Sequence, residues 1–194
     1  VMPREITHAF VILKKAAAIA NFNLGKLTEE KKNIITAVCD EVISGSLNEH
    51  FPLVVWQTGS GTQSNMNANE VIANRALELM GHHRGEYQFC SPNDHVNRSQ
   101  STNDAYPTAI HLGLYATNKK LVEHLQLLIA SLKKKGEEFA DVLKMGRTQL
   151  EDAVPMTLGQ TFHGFASILE DEVRNLNFAA DDFLKACCLH FSFI

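Results

Sequence analysis

"DAYPTAIHLGLYATNKKLVEHLQLLIASLKKKGEEF", residues 104–139, has helical periodicity along its whole length. Its apolar side chains recur at Ile110, Leu114, Leu121, Leu125, Leu128 and Leu132. Asp104 and the early Pro107 are typical of the first turn of a helix. Since helices of globular proteins usually span about 8 to 20 residues, a helix of this length predicts comparable neighbours in a long bundle.

Three other segments carry apolar side chains at helical spacing. The first places Phe10, Leu13, Ala17 and Ala20 on one face, and the second places Ile34, Ile35, Val38 and Val42 after a Thr28 cap. The third begins near Pro155 and carries Leu158, Phe162, Phe165, Leu169, Val173 and Leu176. The sequence therefore predicts an all-α fold. We expect an N-terminal helical domain over residues 1–103 and, over 104–194, the first two long helices of an incomplete central bundle.

The composition argues against several functional classes. The sequence has 18 basic and 22 acidic residues and a formal net charge of −4, so it offers no basic footprint for nucleic acid or an anionic membrane. It has no uninterrupted apolar run of about 18 residues and no signal-peptide layout at its start. Its four cysteines lack the spacing of metal ligands. We expect a cytoplasmic protein with reduced thiols, no metal and no cofactor.

Three polar stretches precede predicted helices, and we interpret each as a loop. They are "WQTGSGTQSNMNANE" (56–70), "SPNDHVNRSQSTNDAYPT" (91–108) and "MGRTQLEDAVPMTLGQ" (145–160). In the first, Gly59 and Gly61 permit close approach of the backbone to a ligand. Free N–H groups at helix N-termini attract anions, and hydroxyl and amide side chains add directional donors. The three stretches together predict a site for a small carboxylate.

Purely structural interpretations of these stretches remain open at this point. The first can be a glycine-rich capped turn. In the second, Ser101 or Asp104 can serve as a helix N-cap, which is a frequent role for these residue types. In the third, Asp152 can cap the following helix and Arg147 can pair with a neighbouring acid.

Three longer segments are similar to successive parts of one protein family. "GTQSNMNANEVIANRA", "SPNDHVNRSQSTNDAYPTA" and "MGRTQLEDAVPMTLGQ" resemble the aspartase/fumarase superfamily in order and spacing, and the resemblance covers about residues 8 to 184. It implies an all-α homotetramer with active sites built from loops of three subunits. It also implies that a base removes the proton beside a substrate carboxylate, an aci-carboxylate dianion forms, and the β substituent leaves to give fumarate.

The same resemblance implies which side chains contact a small dicarboxylate such as aspartate or fumarate. The implied substrate-binding residues are Ser60, Thr62, Ser101, Thr102, Asn103, Thr148 and Gln149. Of these, Thr148 and Gln149 close the site and are the catalytic candidates. All seven are neutral donors, which suits the stabilisation of charge that develops in a transition state.

One family element does not occur in the sequence. The family carries its serine base on a Gly-Ser-Ser-x-x-Met-Pro loop, and these 194 residues contain no Gly-Ser-Ser. The final "KACCLHFSFI" also departs from the family pattern. We therefore expect a fragment that is inactive in isolation. The alternative from another class is a truncated, non-catalytic subunit that acts only in assembly.

The segments divide between two branches of the superfamily. "GEYQF", "NDHVN", "STNDAYPT" and "GRTQLEDAVPMTLGQ" resemble aspartases, whereas "WQTGSGTQSNMN" and "ANRA" resemble class II fumarases. Fumarases place a histidine where this sequence has Gln149. A glutamine orients a substrate but does not exchange protons, and ammonia leaves aspartate without the protonation that water requires. The sequence therefore favours an ammonia-lyase, with class II fumarate hydratase as the alternative.

Overall fold

The computed structural model describes residues 2–56 and 61–184 and is mostly helical over them, which confirms the predicted fold class. Its elements are, in chain order, α1 (Arg4–Asn23), α2 (Glu29–Ile43), α3 (Thr62–Leu79), α4 (Thr102–Glu138), β1 (Leu143–Thr148), β2 (Glu151–Thr157) and α5 (Leu158–Asp182). A 3₁₀ turn at Asn48–His50 and a π-helical turn at Pro92–Val96 lie in the connections. Two compact units form, one up to Leu114 and one over Tyr115–Phe183.

The core of the first unit lies between α1, α2 and α3. The largest apolar side chains with no exposed surface there are Val11, Ile35, Val38, Val42, Ile72 and Leu77. The prediction for α2 is confirmed, because Thr28 caps the helix by accepting the N–H of Lys31 at 3.4 Å. The domain boundary that we placed at residue 103 stays a prediction.

The buried face of α1 differs from the predicted one. Its buried residues are Thr7, Ala9, Phe10, Val11, Lys14, Ala18 and Asn21. Phe10 was predicted correctly, but Ala20 is exposed. The buried face is rotated relative to the predicted one, and it includes Lys14, which is 0% exposed. Because Lys14 is charged, this core position does not appear in the periodic pattern of apolar side chains.

Helix α3 was not predicted, and the first half of it falls inside the stretch that we interpreted as a loop. The helix begins at Thr62 and buries Ser64, Asn65, Ala68, Asn69, Ile72, Ala73, Ala76 and Leu77. Asn65 and Asn69 occupy core positions with 0% exposure. Because amides replace apolar side chains on the buried stripe, the helical period was not visible in the hydrophobic pattern.

The stretch before α5 is a β-hairpin and not the loop that we predicted. Strands β1 and β2 are antiparallel, with Thr148 opposite Glu151. Helix α5 therefore begins at Leu158 and not near Pro155. Thr157 caps it, since its side chain accepts the N–H of Gln160 while the Gln160 side chain accepts the N–H of Thr157. The hairpin was missed because its two turn residues are not typical turn residues.

Helix α4 agrees with its prediction within two residues at its start. Leu114, Leu121 and Leu128 recur at seven-residue spacing on one face and are 46%, 46% and 47% exposed. Side chains at this spacing form the seam of packed long helices. None of the helices in the described ranges combines the length and the apolar character needed to cross a bilayer.

We expect the 194-residue polypeptide to self-associate through this face of α4, because exposed apolar stripes are buried favourably against a second copy. Sedimentation velocity should show species larger than a monomer, and Leu128→Lys should reduce them. Leu24→Lys is the matched control, since Leu24 is 70% exposed and lies outside α4. A monodisperse wild-type monomer at micromolar concentration would contradict the prediction.

Candidate functional site

Three predicted site residues lie together at the start of α4. Ser101 precedes the helix, and its Oγ accepts the N–H of Asn103 at 3.2 Å while its carbonyl accepts the N–H of Ala105 at 2.9 Å. Ser101 is therefore the N-cap, as the structural alternative proposed for it. This role uses its oxygen as an acceptor and leaves the hydroxyl hydrogen as a donor. Capping and substrate binding are thus compatible in one side chain.

Thr102 is held by a side chain that the sequence analysis did not select. Asn65, on α3, donates from Nδ2 to Thr102 Oγ1 at 3.0 Å. Asn65 is 0% exposed, whereas Thr102 is half-buried and Asn103 is exposed. Ser101, Thr102 and Asn103 are consecutive in the chain, and Asn65 of α3 supports this segment through its hydrogen bond to Thr102.

A buried lysine supports the same segment. Lys14 Nζ donates to Asn97 Oδ1 at 2.8 Å and to Gln100 Oε1 at 2.9 Å. Asn97 Oδ1 also accepts from Asn65 Nδ2 at 3.3 Å. Burial lowers the pKa of Lys14 to about 7, while the two carboxamide oxygens favour its protonated form. The available sequence signal was a lysine on the face of α1 that also carries Phe10.

Thr62 is the first residue of α3, and its side chain is exposed. It follows Gly61, whose φ of +74° lies in the left-handed region. A Cβ on Gly61 would approach Cγ of Tyr106 in α4 to 2.2 Å. Gly61 therefore permits a backbone direction and a close approach that an L-residue would oppose. Ser60, which was also predicted to bind substrate, lies outside the described residues.

Thr148 and Gln149 belong to the second compact unit, at the tip of the β-hairpin. Gln149 and Leu150 form the two-residue turn with φ values of 48° and 71°, as a type I′ turn requires. Neither is a glycine or asparagine, and left-handed backbone at other residues costs about 1 to 3 kcal/mol each. Backbone strain is therefore concentrated at a predicted catalytic residue. The assembly of this tip with the residues of the first unit stays a prediction.

Arg147, in contrast, has a structural partner. Its guanidinium pairs with Asp152 across the hairpin, and both side chains are 61% exposed. The alternative that Arg147 pairs with a neighbouring acid is confirmed, and Asp152 does not cap α5. An exposed pair of this kind contributes at most about 1 kcal/mol. At the hairpin tip, the neutral donors Thr148 and Gln149 thus lie beside Arg147, whose charge is paired with Asp152.

Burial shifts the pKa values of several titratable groups in the first unit toward their neutral forms. His95 Nδ1 accepts the N–H of Ser91 at 2.7 Å, and burial, with Lys31 as the next cause, lowers the pKa of His95. Burial also raises the pKa values of Cys39 and Cys90 to about 12 and 11. Within residues 2–56 and 61–184, no group of three or more His, Cys, Asp or Glu side chains is placed to hold a metal.

Residues 2–186 match the protein family described as Lyase. The chain belongs to this lyase family. It is 50% identical over 182 residues to the aspartate ammonia-lyase of Escherichia coli K12, covering 93% of this chain and 38% of that protein. It is 56% identical over 173 residues to the class II fumarate hydratase of Haemophilus ducreyi, covering 87% of this chain and 37% of that protein.

A solved structure shows the same fold. The fumarate lyase:delta crystallin of Brucella melitensis superposes with a TM-score of 0.86 at 52% identity, covering 93% of this chain and 42% of that one. This lyase chain therefore spans well under half the length of the relatives it matches. Since an aspartate ammonia-lyase and a class II fumarate hydratase match at similar identity, overall identity does not separate the two activities.

We expect Gly61→Ala to destabilise the first unit more than Gly81→Ala. Both glycines have positive φ, but a Cβ on Gly81 meets nothing within 4 Å, so only Gly61 adds a collision with Tyr106. The backbone cost alone is about 1 to 2 kcal/mol at each position. Urea unfolding followed by circular dichroism measures the difference. In a Tyr106→Ala background the excess at Gly61 should disappear, and an unchanged excess would contradict the assigned contact.

Proposed function

We propose that the full-length protein carrying this sequence is an aspartate ammonia-lyase, which converts L-aspartate to fumarate and ammonia. In this reaction a base removes the proton next to one carboxylate, the carboxylate becomes an aci-carboxylate dianion, and ammonia leaves from the neighbouring carbon. The observation that carries the proposal is Gln149, a side chain without an accessible pKa at the strained tip of the hairpin.

The donors at the start of α4 support binding of a dicarboxylate. Ser101 and Thr102 present hydroxyl groups and Asn103 presents an amide at the N-terminus of a 37-residue helix. The free N–H groups and the aligned dipole at such a terminus favour negative charge. Preorganised donors of this kind stabilise a developing dianion without exchanging protons. Removing one typically lowers kcat by about 100- to 1000-fold.

Gln149 supports ammonia as the leaving group. Loss of water from malate places hydroxide-like charge on a poor leaving group, which calls for a proton donor. Aspartate carries its amino group as an ammonium ion and needs no such donor. A carboxamide at this position orients a carboxylate or an ammonium ion equally well, and Thr148 beside it adds a hydroxyl donor.

The second candidate is class II fumarate hydratase, because the Haemophilus ducreyi enzyme of that name matches this chain at an identity similar to that of the aspartate ammonia-lyase. A third candidate, from another class, is a non-catalytic subunit that acts in assembly. The half-exposed stripe of Leu114, Leu121 and Leu128 supports an assembly role and is equally suited to the helix bundle of a cytoplasmic homotetramer. Assembly is therefore part of the ammonia-lyase proposal as well.

We expect the full-length protein to have a higher kcat/KM for aspartate than for malate, measured by fumarate formation at matched subsaturating concentrations. Gln149→His should retain part of the aspartate activity and acquire a pH dependence near neutrality, because an imidazole ordinarily titrates near pH 6.5. It should not confer efficient malate dehydration, since one substitution does not supply the rest of a water-handling site.

Gln149→Glu is the matched control, because it keeps the length of the side chain but replaces its donor with a carboxylate, and it should weaken aspartate binding. A wild-type protein that dehydrates malate faster than it deaminates aspartate would replace the ammonia-lyase proposal with fumarate hydratase. No turnover of either substrate by a folded full-length protein would favour the assembly role.

We also expect the isolated 194-residue polypeptide to form no measurable fumarate from aspartate or malate. Its sequence contains no Gly-Ser-Ser, the segment on which the family resemblance places the serine base. The full-length protein, assayed at equal concentration of chains, is the positive control. Robust turnover by the purified polypeptide alone would show that another residue in it acts as the base.

A further inference from the structure

A buried chain of hydrogen bonds runs from Lys14 on α1 to Thr102 at the start of α4. Its links are Lys14 to Asn97 at 2.8 Å, Asn97 to Asn65 at 3.3 Å and Asn65 to Thr102 at 3.0 Å. Lys14 and Asn65 are both 0% exposed. Thr102 is a proposed substrate-binding residue, whereas Lys14, Asn97 and Asn65 have no assigned role.

The direction of this chain is set at its buried end. A protonated lysine has three donors and no acceptor, and a neutral lysine keeps two donors, so in either form Lys14 Nζ can donate to two neighbouring oxygens. The side chains that face Lys14 must therefore present oxygen, and those of Asn97 and Gln100 do so. Asn97 Nδ2 points the other way and donates to the carbonyl of Gln100 at 3.1 Å. Donation from Lys14 thus fixes the amide orientation of Asn97, which X-ray data alone do not ordinarily distinguish from its flipped form.

The orientation of Asn65 follows from that of Asn97. Since Asn97 directs Oδ1 toward Asn65, Asn65 must present Nδ2 in return. A flipped Asn65 would place two carboxamide oxygens against each other. The amide nitrogen carries two hydrogens, so the second one reaches Thr102 Oγ1. This orientation holds although Asn65 Oδ1 has no hydrogen-bond partner among the described residues.

The last link determines what the hydroxyl of Thr102 can do. Because its oxygen accepts from Asn65, its hydrogen is directed to another acceptor. Thr108, on the same helix, shows the usual behaviour of a helical threonine, since its hydroxyl donates to the carbonyl of Asp104 four residues earlier at 2.7 Å. Within residues 2–56 and 61–184, Thr102 Oγ1 accepts from Asn65 and forms no hydrogen bond in which it is the donor.

We propose that Asn65 is a positioning residue that makes Thr102 an obligate hydrogen-bond donor to the substrate carboxylate, with Lys14 and Asn97 fixing the orientation of Asn65. This inference rests on the proposed function, which supplies the carboxylate. Its physical content is that the direction of donation is transmitted from the buried amino group of Lys14 to a hydroxyl at the site. The hydroxyl hydrogen of Thr102 is then oriented toward the carboxylate before the substrate binds.

Neutron diffraction from deuterated crystals of the full-length protein tests the orientation without any substrate. We expect both deuterium atoms on Asn65 Nδ2 to be visible, one toward Asn97 Oδ1 and one toward Thr102 Oγ1. The deuterium on Thr102 should point away from Asn65. Deuterium on Thr102 directed at Asn65 Oδ1 would overturn the inference, whatever reaction the protein catalyses.

A double-mutant cycle tests the consequence for the reaction. In the wild-type background, Thr102→Val should lower kcat/KM by about 100-fold, the magnitude for loss of one preorganised donor. In an Asn65→Leu background it should lower kcat/KM by less than about 3-fold, because the hydroxyl is no longer aimed. Thr102→Ser, which keeps the hydroxyl, should restore most of the activity only where Asn65 is present.

Asn69→Leu is the matched control for the cycle. Asn69 is a 0% exposed asparagine one turn further along α3. Its Nδ2 donates a hydrogen bond to Met66 Sδ at 3.6 Å. In this background Thr102→Val should still cost about 100-fold. Equal costs of Thr102→Val in the Asn65→Leu and wild-type backgrounds would show that Asn65 is merely structural.

The two proposals fail in different ways. If the wild-type protein prefers malate to aspartate, the ammonia-lyase proposal fails, and the same cycle measured with malate still reports on Asn65. If the protein prefers aspartate but the effects of Asn65→Leu and Thr102→Val are additive, the positioning role fails alone. If neither substrate reacts, the function proposal fails, and the neutron measurement decides the orientation of Thr102.

Discussion

The buried amino group of Lys14 is the constraint on which the first compact unit depends. Removing a polar or charged group of this kind from water is costly unless acceptors replace its hydration. Asn97 and Gln100 supply those acceptors from the segment just before α4. The requirement to satisfy this one donor group therefore fixes where this segment lies against α1. Through Asn97 it also reaches Asn65 and hence α3.

The same constraint explains why the buried side of this region is rich in amides. A carboxamide is both donor and acceptor, so it passes a direction of donation from one neighbour to the next. A carboxylate beside Lys14 would have ended the chain at an ion pair. Neutral groups carry the donor direction outward to Thr102, and Ser101 acts beside it as both helix cap and hydroxyl donor. Structural and proposed binding roles thus coincide in adjacent residues.

In the second unit, the distinctive feature is the backbone strain at the tip of the hairpin. Its tip places Gln149 and Leu150 in left-handed backbone without the asparagine or glycine that would make this conformation easy. Leu150 is 93% exposed, so its own burial does not compensate the strain. Strain of this kind is typical of functional segments, where the required direction of a side chain outweighs local preference. The position of Gln149 at this tip agrees with a role in contacting a ligand.

The sequence by itself determined the elements whose period is carried by apolar side chains. The long α4, the capped α2 and the all-α class were predicted for this reason, whereas the three donors at the start of α4 were selected because the family resemblance implies their role. Helix α3, the true face of α1 and the hairpin were decided only by the tertiary structure. In α3 and α1 the buried stripe contains Asn65, Asn69 and Lys14, whose burial is favourable only when partners distant in sequence satisfy them. Local sequence patterns contain no information about those partners, because Lys14 and Asn97 are 83 residues apart and meet only once the chain has folded.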